Sequence, residues 1–407
     1  MEFCKMFEIV KNGNVTSAKG FIAGATYAGI KSFAEDALDI AILASENLAS
    51  VAGTFTTNKV VSPSVTLTKS RVRSGKSIGV VANSGCANAC VGVQGLKDAE
   101  EMASLASKQI NVPEDQMLVC STGLIGVELP MALVRQHMGN IHLDSASGQS
   151  FSKAIMTTDT MPKEIAVSIK IGGKEVVIGG AAKGAGMIHP NMATMLAFVS
   201  TDAKIEPDIL TTFIKRSVRE SFNMIDIDGD QSTNDTVLLF ANGMSGISFE
   251  EVESPDAQVF QEALTYVCIE LAKAIVRDGE GSNRLIEVLV NGATSKEDAK
   301  IAAREIASST LVKAMVHGLD PNWGRIMMAL GKSGVDFQES KVDVFISGIQ
   351  VVHGGCSIPY LSDAVVSSMN SSEVKFEVGL NSGMNEATAW GCDLTEEYVT
   401  FNSAYST

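Results

Sequence analysis

A segment near the middle of the chain, residues 183–198, constrains the fold more than any other stretch. It reads Lys-Gly-Ala-Gly-Met-Ile-His-Pro-Asn-Met-Ala-Thr-Met-Leu-Ala-Phe. Gly184, Gly186 and Pro190 each disfavour a helix in its first half, whereas its second half is apolar and extended. The pattern predicts a tight loop that delivers Thr194 to the start of a strand.

The surroundings of Thr194 suit self-cleavage. Ala193 is small, the glycine-rich approach lets other backbone come close, and Lys183 lies just upstream. Attack of the Thr194 hydroxyl on the preceding carbonyl, followed by hydrolysis, would leave Thr194 as a new chain start. Its α-amino group, with a reference pKa of about 7.7–8.0, would then be the general base beside the hydroxyl nucleophile. On the residues alone, a structural threonine at a strand start is the alternative.

The segment resembles the self-cleavage segment of the ornithine acetyltransferase family, also called glutamate N-acetyltransferase, the ArgJ family of arginine biosynthesis. The resemblance implies that the chain breaks between Ala193 and Thr194 and that Thr194 carries the acetyl group. It implies an alpha chain, residues 1–193, and a beta chain, residues 194–407. These two chains are expected to stay associated and to pair into a heterotetramer.

Further motifs resemble the same family, in the same order, over nearly the whole chain. The loop at 83–90 reads Asn-Ser-Gly-Cys-Ala-Asn-Ala-Cys, with Cys86 where the family usually has asparagine, so its local polar contacts are expected to differ. The carboxylate-rich segment 226–235 lacks the spacing of a calcium-binding EF-hand loop. We interpret it as a structural or site-lining turn.

Thr122 and Gly123 follow a predicted buried strand. A Thr-Gly turn at a strand end can aim a hydroxyl and a backbone N–H at one point, as an oxyanion hole requires. From the residues alone, a plain strand-ending turn is the simpler interpretation. The resemblance instead makes Thr122 and Gly123 the oxyanion pair.

The resemblance also implies which residues hold the amino-acid substrates: Lys183, Thr157 or Thr158, Glu280, Asn402 and Thr407. The choice between Thr157 and Thr158 is open. Glu280 follows a predicted helix end, where the helix dipole does not favour a carboxylate, and is expected to hold an α-ammonium or a side-chain amine. Ser406 stands where the family usually has arginine. We expect this difference to alter either a salt bridge near the site or only the rim of the site.

Composition limits the function classes. A formal charge of −15 and the absence of a lysine and arginine cluster argue against nucleic-acid binding. The charged N-terminus and the lack of a long apolar run argue against export and membrane insertion, and predict a cytoplasmic protein. The seven scattered cysteines predict free thiols, and Cys86 with Cys90 is a weak zinc signal. We expect no metal and no cofactor, with acetyl-CoA open as a co-substrate.

The residue patterns predict a protein of the α/β or α+β class, and the family resemblance implies a layered αββα-like core with two subdomains. Predicted strands cover residues 38–43, 50–57, 77–82, 116–120, 164–171, 174–178, 195–200, 285–290, 341–352 and 374–378. Predicted helices cover residues 98–110, 129–139, 147–156, 206–222, 256–277 and 296–317.

The function implied by the resemblance is transfer of an acetyl group from N2-acetyl-L-ornithine to L-glutamate through acetyl-Thr194. His189 is the only one of the five histidines that lies in the central motif, as loop packing or as support for self-cleavage. Two alternatives remain at this stage. One is a self-cleaving amidohydrolase or aminopeptidase, in which water is the acceptor. The other is a non-enzymatic amino-acid-binding protein.

Overall fold

The computed structural model describes residues 7–31, 37–189 and 195–404. Its strands are β1 Phe7–Ile9, β2 Phe21–Thr26, β3 Ile40–Phe55, β4 Lys76–Cys86, β5 Met117–Leu124, β6 Lys163–Ile171, β7 Lys174–Lys183, β8 Leu196–Thr201, β9 Lys204–Ile205, β10 Ile225–Asp226, β11 Thr236–Ala241, β12 Ser248–Phe249, β13 Leu285–Ala293, β14 Asp343–Ile346, β15 Ile349–His353, β16 Cys356–Ser357, β17 Glu373–Gly379 and β18 Asn385–Cys392.

The α-helices of the described residues are α1 Pro63–Val72, α2 Gln94–Ile110, α3 Met131–His137, α4 Gly148–Ala154, α5 Pro207–Glu220, α6 Pro255–Arg277, α7 Lys296–Ser308, α8 Thr310–His317, α9 Trp323–Lys332, α10 Ser362–Met369 and α11 Glu396–Ala404. Serine side chains cap three of them, since Ser62, Ser254 and Ser295 accept backbone N–H groups of α1, α6 and α7. None of these helices is both long and apolar enough to span a bilayer.

One long strand, β3, joins the two halves of the larger sheet. The strand order is β1-β6-β7-β8-β11-β3-β4-β5, with β2 also paired to β3. The first half of β3 pairs with β2 and β4, and its second half pairs with β11. The register against β4 shifts between Ala44 and Ala49. This irregularity bends the strand, and the sheet folds over on itself.

Three apolar clusters divide the folded sheet into layers. Leu43 and Phe198, from opposite halves of the sheet, share the cluster between the two layers. Their neighbours Ile42 and Val199 point outward, because successive side chains on a strand alternate between faces. Ile42 packs with α1, α2 and α3, and Val199 packs with α5 and α6. The order helix, sheet, sheet, helix is the one implied by the family resemblance.

The C-terminal part adds a second sheet with the order β10-β18-β13-β17-β14-β15-β16. Helix α7 packs on β13 and β18. Ala302 of α7, Val288 of β13 and Phe260 of α6 belong to one continuous core. The second subdomain is therefore fused to the layered core by shared apolar packing.

Several predicted elements differ from the observed ones. The strands predicted at 38–43 and 50–57 are one strand, β3. The helix predicted at 296–317 is interrupted at Ser309, which has extended backbone angles. The strand predicted at 341–352 is a hairpin, because Ser347 and Gly348 have positive φ angles of 46° and 84° and turn the chain between β14 and β15.

Besides α11, three helices of the described residues were not predicted from the sequence. The first of them, α1, includes the first residues of the lysine- and arginine-containing segment 69–76. Helix α1 shows little amphipathic periodicity, since Ser64 and Thr68 are among its buried residues. Helices α9 and α10 were also not predicted.

We expect Phe260→Ala to lower the free energy of unfolding by about 3–5 kcal/mol, as is usual for truncation of a buried phenylalanine. Phe260 is fully buried, and its ring centroid lies 5.3 Å from that of Phe213 and 5.0 Å from that of Phe249. Urea unfolding followed by circular dichroism measures the loss. The control is Leu361→Ala, whose side chain is 78% exposed and should change stability by no more than about 0.5 kcal/mol. Equal effects of the two substitutions would contradict the packing described for α6.

Candidate functional site

A cavity of about 160 Å³ lies where the ends of β5 and β7 meet the segment 228–234 and helix α11. Its described lining residues are Ala87, Thr122, Gly123, Ile125, Thr157, Thr158, Lys183, Gly186, Met187, Asp228, Asp230, Ser232, Thr233, Asn234, Glu280, Tyr398 and Asn402. The lining draws on residues separated by more than 300 positions in the chain. It is therefore a product of the tertiary fold.

The cavity brings together most of the residues that the sequence singled out. Seven of them line it: Thr122, Gly123, Thr157, Thr158, Lys183, Glu280 and Asn402. Both candidates of the threonine pair are among them, so the choice between Thr157 and Thr158 stays open. Ala193, Thr194 and Thr407 lie outside the described residues.

Thr122 and Gly123 lie within strand β5, and the prediction of a turn was wrong. Strand β5 continues to Leu124 because β4 runs parallel beside it as far as Cys86. Gly123 has a φ of 130°, and a Cβ there would lie 2.3 Å from the backbone carbon of Gly85. Only glycine fits this backbone conformation and close approach.

Lys183 is the last residue of β7 and is almost fully buried. Its Nζ lies 3.3 Å from the Thr122 hydroxyl oxygen. Because an ammonium only donates, Thr122 accepts this bond and its own O–H remains available for another acceptor. Burial lowers the pKa of Lys183, and Asp159 acts in the opposite direction.

Glu280 is held against the glycine-rich loop that follows Lys183. Its backbone N–H donates to the Ala185 carbonyl at 2.8 Å. A Cβ at Gly186 would lie 2.5 Å from the Glu280 carboxyl group, so the glycine permits the close approach. The Asn402 amide donates to Glu280 Oε2 at 2.8 Å. Glu280 and Asn402 therefore form one polar pair at the cavity wall.

Asn402 reaches the cavity on helix α11, which was not predicted. No residue of α11 is buried, so it lacks the apolar stripe that identifies a helix in a sequence. Polar contacts hold it instead. Thr395 donates to the Gly281 carbonyl at 2.8 Å, and the Tyr398 hydroxyl donates to Asp228 at 3.2 Å.

The carboxylate-rich segment 226–235 forms part of the cavity wall, in agreement with its interpretation as a site-lining turn. Asp228 accepts the backbone N–H groups of Met187 and Ile188, and so fixes the loop before residue 190. Asn234 donates to the carbonyls of Ala87 and Ser121, both at 2.7 Å. These bonds tie the segment to the end of β5, next to Thr122.

His189 packs at the back of the same loop. Its Nδ1 lies 2.8 Å from Asp226 Oδ1, and the buried Lys313 ammonium lies 3.0 Å from the other Asp226 oxygen. Burial would raise the pKa of Asp226, but Lys313 and His189 together hold it below its usual value. These contacts fix the position of the His189 ring beside Asp226.

The two cysteines of the loop at 83–90 differ in their exposure to solvent. Cys86 is buried and its thiol lies 3.2 Å from the Val127 carbonyl, whereas Cys90 is exposed. The Asn83 amide donates to the Cys86 carbonyl at 2.9 Å. In the described part of the chain, no group of three or more histidine, cysteine or carboxylate side chains has a metal-binding arrangement.

A buried charged cluster beside the cavity was missed by the sequence analysis. The Lys163 ammonium contacts Asp159 at 2.6 Å and Asp278 at 2.5 Å, and the three side chains are at most 4% exposed. No short motif joins these residues, because Asp278 lies 115 positions from Lys163. The only local signal was the spacing of Asp159 and Lys163, which is also common on surfaces.

Asp235 is fully buried directly before β11, next to the beginning of β8. Its Oδ1 accepts the backbone N–H of Met195 at 3.0 Å, while Oδ2 has no hydrogen-bond partner among the described residues. Burial raises the pKa of Asp235 well above its ordinary value. The Met195 bond and the Lys183 charge act in the opposite direction and are outweighed.

The chain resembles known proteins over nearly its full length. Residues 22–407 match the model of the ArgJ family. An arginine biosynthesis bifunctional protein ArgJ from Dehalococcoides mccartyi is 45% identical, over 98% of this chain and 99% of its own length. A glutamate N-acetyltransferase from Methanocaldococcus jannaschii is 44% identical, over 98% of this chain and 100% of its own length.

One solved structure gives a further comparison. It is the crystal structure of an arginine biosynthesis bifunctional protein argJ from Bacillus halodurans, which is 38% identical with a TM-score of 0.50. The match covers 51% of this chain and 98% of the solved chain. The solved chain is therefore about half as long as this one.

Asp235→Asn should become progressively more stable relative to the unsubstituted protein as the pH rises from about 4 to 7. A carboxyl with a raised folded pKa stabilises the folded state fully below its unfolded pKa of about 3.9, and this contribution is lost as pH rises through the folded pKa. Asparagine does not titrate and keeps an oxygen for the Met195 N–H. Thermal unfolding midpoints across this range measure the difference.

The matched control for this experiment is Asp336→Asn, because Asp336 is exposed. Its difference from the unsubstituted protein should be nearly independent of pH. The cleavage state of each preparation is compared by mass, so that differences in maturation are not counted as stability. A difference for Asp235→Asn that stays constant with pH would contradict the raised pKa.

Proposed function

The chain belongs to the ArgJ family, and from this membership and the cavity we propose that it transfers the acetyl group of N2-acetyl-L-ornithine to L-glutamate in arginine biosynthesis. The reaction proceeds in two steps through acetyl-Thr194. Relatives named glutamate N-acetyltransferase support glutamate as the acceptor. The observation that carries the proposal is the convergence of the seven predicted residues on one cavity.

The oxyanion of each tetrahedral intermediate is stabilised by Thr122 and Gly123. Lys183 donates to the Thr122 oxygen, so the Thr122 O–H is directed to a second acceptor. The Thr122 hydroxyl is nearly buried, and donors in such a water-poor site stabilise developing negative charge more strongly than in bulk water. Lys183 therefore assists the oxyanion hole as well as binding substrate.

The amino-acid groups are held by two opposite charges. Lys183 attracts a carboxylate, and Glu280, oriented by Asn402, attracts an α-ammonium or a side-chain amine. Thr157 or Thr158 adds a hydroxyl contact. Lys183 and Glu280 belong to the same cavity wall as the oxyanion pair, so a bound amino acid presents its reacting nitrogen near Thr122.

Self-cleavage between Ala193 and Thr194 produces the nucleophile. In the first transfer step, the Thr194 hydroxyl attacks the acetyl carbonyl, its proton passes to the Thr194 amine, and the ornithine nitrogen leaves with that proton. Glutamate then attacks acetyl-Thr194 and restores the free hydroxyl. The half-length solved chain from Bacillus halodurans supports a division of such chains near their middle.

The two products of cleavage, residues 1–193 and 194–407, stay associated and assemble as a heterotetramer. Strand β7 before the cleavage segment pairs with β8 after it, and β3 pairs with β11. These ladders persist when one peptide bond is cut. The proposed chemistry uses side chains and the α-amine of the chain, and it requires no metal or organic cofactor.

Acetyl-CoA as a second donor is a separate part of the proposal. The relative from Dehalococcoides mccartyi is named bifunctional, which supports a second activity. Release of CoA from acetyl-CoA, dependent on glutamate, would establish this activity. If acetyl-CoA is not a donor, the enzyme transfers acetyl groups from N2-acetyl-L-ornithine only.

We expect Thr194→Ala to abolish both self-cleavage and acetyl transfer, because alanine has no hydroxyl. Denaturing mass spectrometry should find two fragments meeting at Ala193 and Thr194 in the unsubstituted protein, and one intact chain in the variant. A Thr194→Ala enzyme that transfers acetyl groups at the normal rate would refute the mechanism. Thr194→Ser, which keeps a hydroxyl, is the conservative control and should retain some cleavage.

Thr122→Val should lower kcat by about 100–1,000-fold, the usual effect of removing one oxyanion donor. Steady-state transfer from N2-acetyl-L-ornithine to glutamate measures it, after mass analysis of how much protein has been cleaved. Thr212→Val, on α5 and outside the cavity lining, is the matched control and should leave kcat unchanged. A similar kcat for both variants would exclude Thr122 from the oxyanion hole.

The same experiments distinguish the proposed transferase from two other functions. A self-cleaving hydrolase would release acetate from N2-acetyl-L-ornithine at a rate independent of glutamate. A non-enzymatic amino-acid-binding protein would stay uncut and would form no acetyl-Thr194. The transferase should form the acetylated beta chain with donor alone and lose that acetyl group when glutamate is added.

A further inference from the structure

We propose that the Lys163 ammonium, fixed between Asp159 and Asp278, sets the separation of Lys183 and Glu280 and thereby determines how tightly the amino-acid substrates bind. This inference rests on the proposed function of the cavity. It assigns Asp159, Lys163 and Asp278 as positioning residues. None of the three lines the cavity itself.

Asp159 connects the bridge to two parts of the cavity wall. Its Oδ2 accepts the Thr157 backbone N–H at 3.0 Å, and its Oδ1 accepts the Gly184 backbone N–H at 2.7 Å. The Gly184 bond fixes the chain directly after Lys183. Thr157 and Lys183, two predicted substrate residues from different elements, are thus held by one carboxylate.

Asp278 connects the bridge to the part of the cavity wall that carries Glu280. It follows the last residue of α6 and precedes Glu280 by two positions. Its carboxylate accepts the backbone N–H of Thr160 at 3.0 Å and also the Thr160 hydroxyl. The Glu280 backbone is therefore anchored to the segment that carries Thr157 and Thr158.

Because the three side chains are buried, their charges must be paired. The side chains of Lys163 and Asp159 are 0% exposed and that of Asp278 is 4% exposed. Charges in such surroundings need a partner at short range, since water does not screen or solvate them. Burial would raise the pKa of Asp159, but Lys163, Lys183 and the Gly184 N–H hold it at about 2. The Asp159 carboxylate is therefore ionised near neutral pH.

The consequence for binding follows from the two-point recognition of an amino acid. A carboxylate at Lys183 and an amine at Glu280 are bound together only when the two side chains have the correct separation. Loss of the bridge removes the ionic link between the Asp278 and Asp159 segments, so that the hydrogen bonds from Thr160 to Asp278 and from Glu280 to Ala185 hold them less firmly. Substrate must then restore the separation on binding, which weakens its affinity more than it slows the chemical step.

The experiment compares two variants, because Lys163→Met alone leaves two facing carboxylates and risks misfolding. The double substitution Lys163→Met with Asp278→Asn removes the bridge and keeps the net charge, since one positive and one negative charge are lost. We expect KM for glutamate and for N2-acetyl-L-ornithine to rise at least tenfold in the double variant, with kcat changing less than threefold. Denaturing mass spectrometry and thermal unfolding accompany the kinetics.

The matched control uses another lysine that forms a partly buried ion pair. Lys300 lies 2.7 Å from Glu220, its side chain is 11% exposed, and neither residue lines the cavity. Lys300→Met with Glu220→Gln should lower the unfolding midpoint without changing KM. A simple structural role for Lys163 would give the same result at both sites.

The outcomes are distinct. A cleaved, folded double variant at Lys163 and Asp278 with an unchanged KM overturns the proposal, and so does a loss confined to kcat. If the unsubstituted protein transfers no acetyl group, the proposed function has failed instead. In that case, calorimetric titration with ornithine decides the inference, because only weaker binding to the double variant than to the unsubstituted protein supports the bridge.

Discussion

Much of the site depends on one buried ammonium group. Lys163 lies at the start of β6 and contacts Asp159 from the preceding loop and Asp278 from the end of α6. A buried charge without partners is strongly unfavourable, so the folded chain must bring these elements together. Asp159 then fixes the backbone of Thr157 and Gly184, and Asp278 fixes that of Thr160. The need to pair a buried charge in the core thereby fixes the positions of groups that face the cavity.

A second constraint is the close approach of backbone segments. At Gly123, a side chain would collide with the backbone of Gly85, and at Gly186 it would collide with the Glu280 carboxyl group. Both glycines stand beside predicted functional residues, Thr122 and Lys183. At Gly123 and Gly186, glycine is needed because a side chain would collide with neighbouring atoms. In the surface turn at 172–173, glycine instead provides positive φ angles and no collision is involved.

The sequence predicted most of the long elements and the members of the cavity, but in different ways. Strong periodicity located α6 almost to the residue, since it is long and has a continuous buried stripe. Helix α11 has no buried residue and left no such pattern. Thr122 was identified through its motif, although its strand was predicted to end too early. The bridge at Lys163 was invisible, because hydrogen-bonding across 115 positions has no local signal.

The topology explains how a chain divided before Thr194 would remain one body. The proposed cut falls between β7 and β8, and Lys183 pairs directly with Leu196 across their antiparallel ladder. On the other side, β8 pairs with β11, which pairs with β3 from the first half of the chain. The bridge from Lys163 to Asp278 also crosses the cut. Because the two halves share a sheet, an apolar core and a buried ion pair, breaking the peptide bond before Thr194 would remove chain connectivity while leaving these interactions in place.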